Sequence, residues 1–196
     1  MGRITGVIAL TSLFAGLSSA AGAVTWDNSG STAFTASGGS STLAVGLTNL
    51  PCADSSVTGT SPTSSTTGDL ATGTATFTNC SLVGPAHVSC TYTLTALTQS
   101  GGVTSGNVDA TCDAFVGGVA ACHIAGTTPG SYTNPTGGVK GKLTLAHSSG
   151  SLRVFNPAVG SCLLGNNVGA TLTTQTFTVT TANEPGTTGP VITRTP

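Results

Sequence analysis

Two runs of strict two-residue alternation face each other across a glycine pair between His87 and Ile124. No other feature of the 196-residue chain restricts its fold so tightly. Val88, Cys90, Tyr92, Leu94 and Ala96 share one parity on the way in, with Ser89, Thr91, Thr93 and Thr95 on the other. Val108, Ala110, Cys112 and Ala114 repeat the pattern on the way out. A period of two belongs to a strand with one face on a core and the other in water. Gly101-Gly102 is a hairpin signal, because the favoured tight turns need residues that accept positive φ. Cys90 and Cys112 are equidistant from Gly101, so the hairpin sets them opposite each other and predicts a disulfide staple.

The same alternation recurs along the chain. Leu43, Val45 and Leu47 predict a strand ending before Pro51, and Thr72 to Asn79 one that carries Ala75 and Phe77 inward and delivers Cys80. Ser55 to Gly68 reads as a short strand and a long turn, and Thr127 to Pro135, with two prolines, as a turn region. Ala120, Cys122 and Ile124 share a parity, as do Leu143 and Leu145, with Lys140 and Lys142 turned outward. His147 to Gly150 reads as a hairpin turn into Leu152 to Phe155, and Pro157 to Asn167 as a loop carrying Cys162. Near the end, Phe177 and Val179 fall out of phase with Leu172, which a β-bulge near Thr174 would reconcile. No sustained helical period occurs beyond the N-terminal region. The expectation is an all-β fold, a disulfide-stapled antiparallel β-sandwich or barrel of about 9–11 short strands.

Residues 1–23 read as a signal peptide helix. Arg3 supplies the positive end, an apolar run spans Ile4 to Leu17, and Ala21-Gly22-Ala23 is an Ala-x-Ala cleavage site. Cleavage after Ala23 is expected, with Ser18-Ser19-Ala20 as the rival site. Residues 24–182 then form a single β-rich secreted domain, and 183–196 a flexible C-terminal tail. Four basic groups (Lys140, Lys142, Arg153, Arg194) stand against six acidic ones after cleavage, a net of −2, and charged residues are only 6% of the chain. Nucleic-acid binding needs rows of Lys and Arg to displace counterions, and attachment to an anionic membrane needs a basic cluster; neither partner is expected. A Thr/Ser/Gly surface with little charge repulsion leaves a protein partner or self-association open.

Six cysteines in an exported chain imply three disulfides among Cys52, Cys80, Cys90, Cys112, Cys122 and Cys162. Metal ligation is the alternative, since His87 and His123 lie among them. No Cys-x-x-Cys pair is present, however, and an oxidising compartment favours disulfides, so no metal or cofactor is expected. Histidine as a base is limited to His87, His123 and His147, each read as a solvated surface residue, and no Gly-x-Ser-x-Gly elbow accompanies them. Glu184 is the single glutamate, which leaves no glutamate pair for glycoside hydrolysis. Asp109 and Asp113 share a strand face and could hold Ca²⁺ with backbone carbonyls; an exposed polar edge is the simpler reading. No enzyme is expected.

The segments "PCADSSVTGT", "ATFTNC", "GSYTNPTGGVKGKLTL" and "GSCLLGNNVGATLTTQTFTV" resemble those of secreted actinobacterial proteins of unknown function, from about Leu50 to the C-terminus. That group typically has four cysteines, matching Cys52, Cys80, Cys122 and Cys162. The resemblance implies that these pair among themselves, most simply Cys52–Cys80 and Cys122–Cys162, leaving Cys90–Cys112. A short Cys112–Cys122 bridge about Gly117-Gly118 is the rival. The resemblance brings no activity and no catalytic residues with it.

Three functions fit these features. The leading one is a secreted, non-enzymatic extracellular structural or interaction module. The second is a carrier of a small apolar ligand. In composition and export the chain is similar to neocarzinostatin-type apoproteins, though it is longer and its cysteine spacing differs. Trp26, Phe77, Tyr92 and Phe177 would be its cleft residues. The third is a protease inhibitor presenting a braced loop, Cys122 to Pro135 or Pro157 to Cys162.

Overall fold

The hairpin at Gly101 is the middle of a long antiparallel meander. A computed structural model describes residues 24–45, 47–81, 84–116, 119–146, 152–155, 162, 164, 168–173, 175–181 and 189–196. Its strands are β1 (Thr25–Ser29), β2 (Ala33–Gly38), β3 (Ser41–Val45), β4 (Thr48–Thr60), β5 (Ser64–Ser65), β6 (Asp69–Ser81), β7 (Pro85–Ser100), β8 (Val103–Val116), β9 (Val119–Thr133), β10 (Gly141–Leu145), β11 (Leu152–Phe155), β12 (Val168–Leu172), β13 (Gln175–Thr181) and β14 (Val191–Thr195). No helix occurs among the described residues.

The long strands β4, β6, β7, β8 and β9 pair in sequence, each with the next. β2 and β3 follow one another along the free side of β4, and β10 and β11 do the same along β9. β12 and β13 fill the remaining gap: β13 pairs with β2 and β10, and β12 with β3 and β11. The sheet therefore closes on itself, an up-and-down barrel of eight staves in which β2–β3, β10–β11 and β12–β13 each count as one. This is the barrel form of the expected architecture. A small sheet, in the order β14-β1-β5, lies outside the ring.

Several expectations need correction. The strands are more numerous than 9–11, and five run to 13–16 residues. Ser55–Thr60 is strand and a turn follows, as expected, but the strand is the end of β4; Thr127–Thr133, expected as a turn region, belongs to β9. Turn-forming residues misled there. Pro129 lies between the stretch of β9 paired to β11 and the stretch paired to β10, a gap in which a residue without an N–H is tolerated. The strand at Leu43 ends at Val45, and Leu47 is fully exposed where the chain turns back into β4.

The C-terminus is not a loose tail over its last residues, because Val191–Thr195 forms β14 against β1. Ile192 is buried, and the side chains of Gln99 and Asn134 stand in for a neighbouring strand. The Ile192 N–H donates to Asn134 Oδ1 (2.9 Å), and the Arg194 N–H donates to Gln99 Oε1 (2.9 Å). Asn134 Nδ2 and Gln99 Nε2 both donate to the Ile192 carbonyl, at 2.6 and 2.7 Å. Trp26, also buried, pairs with Arg194, whose guanidinium sits 5.8 Å from its ring.

The sulfurs pair as Cys52–Cys80, Cys90–Cys112 and Cys122–Cys162. The first two join residues directly opposite on neighbouring strands. Three intramolecular disulfides fit an oxidising compartment. The expected signal segment, 1–23, lies outside the described residues.

Candidate ligand cavity

Alternation sorts each stave into an outer face of Thr and Ser and an inner face of apolar side chains. Outward positions Thr58, Thr74, Thr91 and Thr111 are neighbours across four strands, and the first two share a hydrogen bond of 2.9 Å. Inward, Val88, Cys90, Tyr92 and Leu94 of β7 are all buried. β4 and β6 switch parity together. Leu50 and Cys52 are buried, then Ser55 and Val57; across from them Phe77 is buried, then Cys80. Asn79 makes the switch possible by taking a φ of 53°, a conformation that Asn tolerates better than most residues, and its Nδ2 donates to Asp54 Oδ2 at 2.8 Å. The kink turns both cysteines into the barrel. Parity also changes between Leu172 and Phe177, both buried, at the break between β12 and β13; Thr174 itself lies outside the described residues.

The lumen holds a cavity of about 80 Å³. Its wall draws on β3, β4 and β6 to β13, with Leu50, Val57, Phe77, Ile124, Leu152 and Phe177 among the lining residues. Cys52, Cys90 and Cys112 border it as well, and among the described residues no charged side chain does. A smaller space of about 30 Å³ lies toward β14, lined by Phe34, Leu94, Tyr132, Pro190 and Ile192 among others; Leu143 borders both.

One rank of inward positions is filled mainly by a single side chain. Gly59, Gly73, Tyr92, Ala110 and Gly126 are successive partners across β4, β6, β7, β8 and β9. Four of the five have almost no side chain, so Tyr92 is the bulky member. Its hydroxyl reaches past Gly73 to Gly59, where a Cβ would stand 2.5 Å from the phenolic oxygen. Tyr92 is 8% exposed, and its hydroxyl has no hydrogen-bond partner among the described residues. Burial pushes its phenol above the ordinary range, so it stays a neutral donor. Of the other polar residues at the wall, Thr128 is buried and its hydroxyl donates to the Ala146 carbonyl at 3.2 Å, and Ser41 is also buried.

Three of the four cleft candidates, Phe77, Tyr92 and Phe177, line this cavity; Trp26 lies under β14 instead. The titratable candidates are on the outside. Asp113 and His123 form a half-exposed pair at 3.0 Å, Thr127 donates to Asp109, and exposed His87 stacks on Phe115 at 4.7 Å between centroids. His147 and Glu184 lie outside the described residues. Among the described residues no group of three or more His, Cys, Asp or Glu could hold a metal ion. The suggested inhibitory segment Cys122 to Pro135 is paired strand through Thr133; of Pro157 to Cys162, only Cys162 is described. Sequence reading missed Gly59, Gly73 and Gly126. Their signal, glycine on the inward parity of a Thr-rich strand, was hidden by glycines that serve turns.

The chain matches no known family model, no curated protein and no solved structure. No described helix is long and apolar enough to cross a membrane.

Proposed function

We propose that the chain is a secreted, non-enzymatic extracellular module whose barrel carries a small apolar molecule. The observation behind this reading is the apolar lumen around the 80 Å³ cavity. Protein interiors pack to crystal-like density with few voids. At about 24 cal/mol per Å³, leaving 80 Å³ empty forfeits about 2 kcal/mol, which a ligand of matching shape recovers. Eight-stranded barrels are the size class whose interior either fills with side chains or holds one small guest. The void left among the apolar side chains of the lumen favours the second outcome.

A plain structural or interaction module makes no use of that void, although the Thr/Ser exterior would serve one. Native mass spectrometry of protein from its own culture medium decides between them. A reproducible low-mass adduct supports a carrier, and bare protein opposes it. In a complementary experiment, Ala110→Leu fills the cavity from a position that borders it. It is expected to abolish the thermal shift given by methylenecyclohexane while leaving the protein at least as stable. Wild-type protein with no shift at a saturating probe concentration would count against the carrier.

A further inference from the structure

We infer that the guest is an elongated hydrocarbon lying along the barrel axis, and that Leu143 is the residue that limits its length. This rests on the carrier reading and names its ligand class. The spaces of about 80 and 30 Å³ follow one another down the barrel. On β7 the lining passes from Tyr92 at the larger space to Leu94 at the smaller, on β9 from Thr128 to Tyr132, and on β13 from Phe177 to Val179. Of the described residues at the two walls, Leu143 alone belongs to both. It is the register partner of Phe177 on one side and of Tyr132 on the other. Phe177 lines the larger space and Tyr132 the smaller, so Leu143 stands where the two meet.

The smaller space adds no free side-chain donor among the described residues. The Ser61 hydroxyl donates to the Pro62 carbonyl at 3.4 Å and the Tyr132 hydroxyl to the Pro190 carbonyl at 2.6 Å. Neither wall has a charged side chain among the described residues, so a carboxylate or an ammonium would leave its hydration unreplaced. A hydrocarbon has no such loss. Pro190 and Ile192 border the smaller space from the β14 side. Phe177 is fully buried and Tyr132 is fixed by its hydrogen bond, whereas Leu143 is held by packing alone. A guest in the larger space therefore meets Leu143, and shortening that side chain opens the smaller space to it.

Headspace gas chromatography of protein equilibrated with n-alkane vapours gives the affinity for each chain length from butane to octane. In wild-type protein each added methylene should strengthen binding about fourfold until the larger space is full, and the gain should then stop. Leu143→Ala is expected to move that break to longer chains. Leu143→Val, a smaller excision, should move it in the same direction and serves if Leu143→Ala fails to fold. Adding Ala71→Leu, which fills the smaller space alone, should return the break to its wild-type position. A break that moves but ignores Ala71→Leu would mean that the extra methylenes occupy only the volume leucine vacated, and the inference fails. It fails too if the shortened side chains leave the break unmoved, or if wild-type protein binds methylenecyclohexane but no alkane; in each of these cases the carrier reading stands. If neither the alkanes nor methylenecyclohexane bind wild-type protein, both fall.

Discussion

Tyr92 and Tyr132 are both buried phenols, yet they are treated differently by their surroundings. The Tyr132 hydroxyl donates to the Pro190 carbonyl at 2.6 Å and ties the segment before β14 to the barrel; the Tyr92 hydroxyl has no partner among the described residues. Burial raises both above the usual phenol value near 10. The folded state therefore holds protons that the unfolded chain has released above that pH. Their contribution to stability is complete below pH 10 and declines as the pH climbs further. Absorbance near 295 nm should show no tyrosinate at pH 10 in folded protein, and the denaturant midpoint should fall beyond it. Normal titration of both phenols in the folded state would contradict their burial. At Gly59, a new methyl group would meet the Tyr92 hydroxyl and the tip of Phe34. Gly59→Ala should lose about 1–3 kcal/mol by overpacking. Combining it with Tyr92→Phe should restore part of that loss in a double-mutant cycle; strict additivity would mean that the two sites do not touch.

At the scale of elements, alternation made the central hairpin legible because β7 and β8 keep one parity across Cys90 and Cys112. It gave β4 and β6 only in part. Their joint kink at Asn79 swaps inward for outward, so neither parity alone places both Phe77 and Cys80 in the core. Proline and glycine hid the length of β9, and β14 went unseen because five residues beyond a proline show no more alternation than a tail. The energy that orders β14 comes from partners distant in sequence, Gln99, Asn134 and Trp26, which local pattern cannot report. Removing residues 191–196 should cost about 2–3 kcal/mol, the burial of one large aliphatic side chain, and more with the lost hydrogen bonds. It should also shift the emission of Trp26, the single tryptophan, to longer wavelength. Unchanged emission would mean that β14 does not cover it.

For the molecule as a whole, the cavity was the part least readable in advance. A void is what inward side chains from many strands leave between them, and it exists only once every register is set. The three bridges enclose sequence separations of 22, 28 and 40 residues. On the chain-entropy model each stabilises by about 3–4 kcal/mol, the widest by the most. Paired Cys→Ala variants should lose stability in the order Cys122/Cys162, Cys52/Cys80, Cys90/Cys112 in equilibrium unfolding; the reverse order would show that local packing outweighs loop closure.

The seam between β13 and β2 joins Thr181 to Phe34 and Val179 to Ala36. Every other junction in the wall that links consecutive staves can form as a local hairpin, but this one waits for both ends of the domain. Loop-closure entropy must be met before the contact rewards it. Refolding should therefore be slow and all-or-none at its last step. An open-sided intermediate containing β4 to β9 should precede closure, and probes along the seam should be the last to gain protection.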